Sequence, residues 1–220
     1  MFHIIPDLLT KEEVQHLLAF AASHQFSDGK ISNEEFELKK NLQSNMQDPA
    51  AQQASALVQN ALVRNEWVRD VCVPKALAAP MVSKYTPGMH YGEHVDTHLV
   101  MGNPPVRVDV SCTVFLNDPA NYDGGELVLR LSDKTLKIKE KPGTAVLYPS
   151  TQYHHVAPVT RGERIAAITF LQSHVRDLAK REILYELQDF LHEYGSGMTD
   201  EAQMQLEYVR TNLLRMWYED

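Results

Sequence analysis

Cysteine is scarce: Cys72 and Cys112 are the only two in 220 residues. Two thiols are too few for a disulfide framework, and they sit well with a reducing compartment. Long apolar runs are missing as well. No stretch approaches the roughly 20 residues that a bilayer-spanning helix needs. The opening MFHIIPDLLTKEEV has neither the basic n-region nor the long apolar h-region of a secretory leader. Positive charge is in deficit: 21 Lys and Arg stand against 29 Asp and Glu, a formal charge of −8. Phosphate backbones are usually met by a basic patch or domain, so no nucleic-acid partner is expected. No internal repeat or low-complexity tract interrupts the chain. These absences lead to the expectation of a cytoplasmic soluble protein with no membrane partner. With 44% hydrophobic and 23% charged residues, the chain is ordinary for one globular domain with a conventional core.

What is present falls into three blocks. Thr10 to about His24 reads as a helix, with Thr10 and Glu13 as a capping-box pair and Val14, Leu17, Leu18 and Ala21 on one face. A polar stretch, Ser27 to Gln47, precedes a second helical segment around Ala51–Val63. From about Met81 the texture changes. Val106, Val108, Val110, Cys112, Val114 and Leu116 alternate with Arg107, Asp109, Ser111, Thr113 and Phe115, which is strand periodicity. Further short strands are expected near 81–85, 90–94, 126–131, 135–139, 144–148, 154–159 and 164–171, separated by turn signals rich in Gly, Asp and Pro. Roughly eight short antiparallel strands are the content of a jelly roll. After His174, Ile183, Leu184, Leu187, Phe190, Leu191 and Tyr194 recur at helical spacing, Gly195 reads as a stop and Thr199 as the cap of a last helix. The expected fold is α+β with a mostly β core, a double-stranded β-helix flanked by N-terminal and C-terminal helices. Its parts are a helical support region 1–76, a core 77–174 and a helical extension 175–220.

The chemistry-bearing residues cluster in the core. In His94-Val95-Asp96 an extended backbone sends the imidazole and the carboxylate to the same side. His154, from a distant strand, would complete a facial set of two histidines and one carboxylate, which leaves other octahedral positions open and suits non-haem iron(II) oxygenases. A short His/Asp pair alone is a weak signal. Arg164 opens a strand on which Arg164, Ala166, Ile168 and Phe170 share one face. An arginine pointing into an apolar barrel is costly unless it meets an anion, and a guanidinium fork pairs bidentately with a carboxylate such as that of a dicarboxylate co-substrate.

The run Y-x-x-G-x-x-Y-x-x-H-x-D over residues 85–96 is followed by D-G-G-E-L (123–127), K-P-G-T-A-V-L-Y-P-S (141–150), H-x-V-x-P-V (154–159) and R-G-x-R (161–164). In this order it resembles the prolyl-4-hydroxylase-like 2-oxoglutarate oxygenases, and within them it is most similar to the bacterial PKHD-type hydroxylases. The tail, with Gln172-Ser-His-Val-Arg-Asp177 and Asn212-Leu-Leu-Arg-Met-Trp217, resembles that family's appended helices. The resemblance implies iron ligands at His94, Asp96 and His154, and it implies that Arg164 holds the distal carboxylate of 2-oxoglutarate, with Tyr85 near the co-substrate. It implies a dioxygenase that hydroxylates a C–H bond of a prolyl or lysyl residue or a small molecule, releasing succinate and CO2. Fe(2+), 2-oxoglutarate, O2 and L-ascorbate are the cofactors and small-molecule partners it suggests.

Ten histidines leave rivals. His90, His94 and His98 are four apart, as on a metal-binding helix face, but Pro87, Gly88 and Gly92 argue against a helix there. His90 and His98 are expected to be solvated or to support the site. His154 and His155 are neighbours on a strand, so normally one reaches the metal; the H-x-V-x-P-V pattern favours His154. Arg161 rivals Arg164 but lies in a turn, where solvation is ordinary. Asp123-Gly-Gly-Glu126 reads as a hairpin turn rather than a cation or phosphate loop. Cys112 is expected in the core, and Met204, Tyr208, Met216 and Trp217 in helix packing or a homodimer interface. Two other functions remain open on the same barrel: a zinc-dependent or other non-oxidative metalloenzyme, and a catalytically silent binding module.

Overall fold

The computed structural model describes residues 2–32 and 37–219; within the polar stretch 27–47, residues 33–36 lie outside the described part. Two antiparallel sheets face each other. The larger runs His3–Ile5, Ala145–Pro149, Val110–Phe115, Arg164–Ser173, Met81–Tyr85, Leu42–Gln43, Ser27–Asp28, with Pro74–Leu77 also paired to Arg164–Ser173. The smaller runs Lys134–Ile138, Leu127–Leu131, His154–Val156, His90–His94, Lys39–Lys40.

The period-2 pattern of residues 110–115 explains the layering. Val110, Cys112 and Val114 join Leu147, Ala167 and Leu171 in the main core, whereas Phe115 packs with Leu127, Leu129, Ile138, Val146 and Tyr148 between the sheets. Both faces of this strand are covered, so all six of its residues are buried. Helices α1 (Lys11–Ser23), α2 (Pro49–Arg64) and α3 (Glu66–Cys72) seal the outer face of the larger sheet with Leu17, Ala21, Val58, Leu62, Val68 and Val71. Each helix begins on a side-chain cap. The Thr10 hydroxyl accepts the Glu13 amide at 3.2 Å while the Glu13 carboxylate accepts the Thr10 amide at 2.9 Å, the expected capping box. Asp48 caps α2 with Pro49 at the first position, and Asn65 caps α3. Helices α4 (Leu178–Tyr194) and α5 (Asp200–Trp217) follow the last strand, capped by Asp177 and Thr199. Buried Arg181 donates to the carbonyls of Val175 and Arg176 and so ties α4 to the end of the sheet.

The structure departs from the sequence reading in several places. The strand expected across 106–116 is broken, because the Asp109 carboxylate turns back to accept from the Arg107 guanidinium and the Ser173 amide; Val106–Arg107 instead pairs with Leu99–Val100. The segment 154–159 splits into His154–Val156 and Val159–Arg161 around Pro158, which has no N–H for a ladder. Helix α3 was not anticipated. Four short strands, His3–Ile5, Ser27–Asp28, Lys39–Lys40 and Leu42–Gln43, add to the helices before residue 77.

Candidate active site

His94 closes the strand His90–His94 and lies opposite His154 in register, which turns both imidazoles to the same side with ring centroids 4.2 Å apart. Asp96 follows just past the strand end, its amide donating to the Ser150 carbonyl at 3.2 Å. Its carboxylate sits 3.8 Å from His94 Nε2 and 3.6 Å from His154 Nε2. The Ser111 hydroxyl donates to Asp96 at 2.5 Å and lies 2.8 Å from the Ser150 hydroxyl. Each imidazole donates its Nδ1 proton to a backbone carbonyl two residues earlier: His94 to Gly92 at 2.8 Å, His154 to Gln152 at 2.9 Å. That bond fixes the tautomer and presents the Nε2 lone pair inward. One donor atom from each of the three residues falls within a 4.8 Å cluster.

The electrostatics suit a cation. Burial, the neighbouring imidazole and the charge of Lys39 push His94 down to about 4, which keeps it neutral and able to ligate at pH 7. Burial pushes the Asp96 carboxyl above the usual carboxylate range, against the pull of His154 and Ser111. A cation between the three would reverse that penalty.

Arg164 begins the strand Arg164–Ser173, opposite Tyr85 on Met81–Tyr85. Its side chain is completely buried, yet among the described residues Nε, Nη1 and Nη2 have no hydrogen-bond partner. The rings of Tyr85 and Phe115 face it, at 5.1 and 5.5 Å. The Tyr122 hydroxyl is also buried with no hydrogen-bond partner among the described residues. Burial raises the Tyr85 phenol to about 12, partly opposed by Arg164. The expected hairpin turn at Asp123–Glu126 is instead a short pairing of Asp123–Gly124 with Val159–Arg161. The glycines do use positive φ, but they are needed for close approach: a Cβ on Gly124 would stand 2.0 Å from the Pro158 carbonyl oxygen, and one on Gly125 3.0 Å from Arg164 Cδ.

A cavity of about 390 Å³ opens between the sheets, and His94, Asp96, His154, Arg164, Tyr85 and Tyr148 all line it. Among the described residues, His90, His98 and His155 are outside its wall. His98 is exposed, and His155 points to the other side of its strand. Arg161 is exposed and bound to Asp123 at 2.7 and 3.0 Å. Sequence reasoning missed Ser111, Ser150 and Tyr148, and it missed Lys39, Asn41 and Gln43 on the wall. The last three alternate, a period-2 signal too short to stand out in a polar stretch.

Residues 80–172 match the 2OG-Fe(II) oxygenase superfamily. A PKHD-type hydroxylase of Sphingopyxis alaskensis is 42% identical over 219 residues, covering 99% of both chains. The chain belongs to the PKHD-type hydroxylases. A second such hydroxylase, from Picosynechococcus sp., is 38% identical with 100% of both chains covered. The fold of this hydroxylase is similar to that of a Pseudomonas putida prolyl-4-hydroxylase, with a TM-score of 0.56 at 19% identity over 78% of this chain and 92% of that one. The core is therefore the double-stranded β-helix, and the hydroxylase is a 2-oxoglutarate-dependent dioxygenase that uses Fe(2+). None of its described helices is long and apolar enough to cross a membrane.

Proposed function

We propose that this hydroxylase holds Fe(2+) on His94, Asp96 and His154, and binds the distal carboxylate of 2-oxoglutarate on Arg164, to hydroxylate a C–H bond of a substrate bound beside them. One observation carries the reading: a fully buried guanidinium with no hydrogen-bond partner among the described residues shares a cavity with two inward-facing imidazoles and a desolvated carboxylate. A buried charge without a partner costs several kcal/mol, and a dicarboxylate spanning the cavity supplies the missing acceptor in bidentate form. The donor set fits the ion as well, since imidazole nitrogen and carboxylate oxygen on one side leave coordination positions open.

Each side chain then has a task. The Nδ1 bonds of His94 and His154 set ligand direction, while Ser111 holds the Asp96 carboxylate in place. Arg164, backed by the Tyr85 ring, fixes the far end of the keto diacid, and Tyr85 and Tyr148 exclude water from the space between. The bound iron supplies the oxygen activation that couples decarboxylation of 2-oxoglutarate to substrate hydroxylation. L-ascorbate would supply reducing equivalents to a metal held there, tested by its rescue of activity lost during turnover. The substrate is a prolyl or lysyl residue of a peptide, or a small molecule.

Anaerobic loading with Fe(2+) and 2-oxoglutarate, followed by exposure to O2, tests the proposal. Succinate release that requires both components supports it. Succinate release undiminished in folded His154→Ala or Arg164→Ala protein refutes the assignment.

A further inference from the structure

A second cavity, of about 400 Å³, adjoins the first across Val95, Asp96 and Thr97, which line both. Its remaining wall joins the end of the core to the start of the helical tail, and it holds three arginines, Arg107, Arg176 and Arg181, with two carboxylates, Asp96 and Asp109. Both carboxylates are engaged. Asp109 accepts from the Arg107 guanidinium at 2.9, 3.0 and 3.1 Å and from the Ser173 amide at 2.9 Å, while Arg107 also reaches Glu219 at 3.3 Å. Asp96 accepts from Ser111 and is a metal ligand on the reading above. Arg176 and Arg181 are therefore in excess. The Arg176 side chain is exposed and makes no ion pair among the described residues. Arg181 is only 2% exposed. Its Nη1 donates to the carbonyls of Val175 and Arg176 at 2.7 and 2.9 Å, yet its buried Nε has no hydrogen-bond partner among the described residues. Burial holds Arg181 below the ordinary arginine value despite the pull of Asp109, so its charge is under-compensated where it sits.

A guanidinium stays charged at neutral pH even when buried, and a buried charge is costly until an anion meets it. With Nη1 committed to peptide carbonyls, the Nε edge is the side left to a ligand, and a guanidinium edge meets a carboxylate through two parallel bonds. Leu178 begins α4 and lies in the same wall, so the positive end of the helix dipole adds to the field there. We propose that this second cavity is an anion pocket in which Arg181 and Arg176 hold a carboxylate of the primary substrate while the reacting carbon lies in the first cavity; this rests on the reading of the triad given above. A substrate spanning both cavities crosses Val95, which is apolar and 45% exposed. Its acid then ends away from Arg164, which is outside the second wall and on that reading is taken by 2-oxoglutarate. The substrate class is thereby a carboxylic acid whose hydroxylated carbon is separated from the acid by an apolar segment.

Titration of the full-length, Mn(2+)-loaded protein at saturating 2-oxoglutarate tests this, with hexanoate and hexanamide as matched probes. By calorimetry, hexanoate is expected to bind about tenfold or more tighter than hexanamide. Arg181→Met should erase that preference, and Arg176→Glu, a change on an exposed side chain that leaves the ties of α4 in place, should lower it about threefold or more. Proton relaxation of the hexanoate methyl group should be enhanced by Mn(2+), because the chain runs from the arginines toward the metal. Equal affinity for acid and amide overturns the proposal, as does a preference that survives folded Arg181→Met. A preference untouched by Arg176→Glu overturns it even where Arg181→Met does not fold. Acid preference without relaxation enhancement would make the cavity an anion site unconnected with the substrate, and hexanoate binding that disappears as 2-oxoglutarate rises would place the acid at Arg164; either result also overturns it. If 2-oxoglutarate itself fails to bind the Mn(2+)-loaded protein, the triad reading falls, and this inference with it.

Discussion

Replacing Arg164 with methionine separates binding from stability in an unusual way. The guanidinium is fully buried and makes no hydrogen bond among the described residues, so the substitution breaks no pair seen there. It removes a buried charge whose desolvation costs several kcal/mol, against a smaller loss of attraction to the Tyr85 and Phe115 rings. The unliganded variant should therefore melt at or above the unaltered protein. Binding moves the other way. Losing a charge-assisted pair costs about 1.5–3 kcal/mol, or roughly 10- to 150-fold in affinity for 2-oxoglutarate. At a concentration about 100 times Kd, ligand stabilises the unaltered fold by about 2.7 kcal/mol, and a hundredfold weaker site retains only about 0.4 kcal/mol of that. For a chain of this size about 2–4 °C accompanies each kcal/mol, so the ligand-induced shift should fall from roughly 5–10 °C to about 1 °C. Thermal melts of Mn(2+)-loaded protein with and without 2-oxoglutarate give both readings. A variant that melts far lower without ligand, yet keeps the full 2-oxoglutarate shift, would show that Arg164 is a structural residue and refute the reasoning.

Asp96→Ala and His154→Ala should each weaken Fe(2+) binding by at least about 10- to 100-fold and reduce 2-oxoglutarate turnover to background, checked by metal analysis and succinate assay on folded protein. Both thiols should be inert to a disulfide reagent until the chain unfolds. Burial raises Cys72 to about 12 and Cys112 higher still, so neither forms appreciable thiolate at neutral pH; rapid native-state labelling would contradict this. The Arg64 guanidinium holds the Glu13 carboxyl below its ordinary value of 4.5. A depressed carboxyl stabilises the fold above its unfolded value and loses that contribution as pH falls through the folded one. Arg64→Met should therefore flatten the acid limb of the melting-temperature profile below about pH 5, and an unchanged limb would dismiss the pair.

Much of this site is legible in the sequence because its signals are local and periodic. Two residues apart in an extended segment puts His94 and Asp96 on one side, and the alternation through Arg164, Ile168 and Phe170 put the guanidinium in the cavity, as the wall shows. The capping box at Thr10 was readable because its partners are three residues apart. What escaped depended on distant partners. The strand expected over 106–116 fails at Asp109, whose carboxylate is claimed by the Ser173 amide, 64 residues away. Lys39–Lys40 and Leu42–Gln43 are two residues each, too short to show a period, and only pairing with separate sheets makes them strands. Ser111 reads as one more alternating polar position until folding places its hydroxyl on Asp96.

Each imidazole donates its Nδ1 proton to a peptide oxygen two residues back, Gly92 within the strand of His94 and Gln152 just before that of His154. Orientation is thereby written into the main-chain path, which the Gln152 side chain steadies at position 152 by donating to the Arg130 carbonyl. An arriving ion meets nitrogens already aimed, so little rearrangement opposes capture. Chelation and reloading should be a cycle through which the barrel passes unchanged, with the ring nitrogens keeping their bearing while the metal is away.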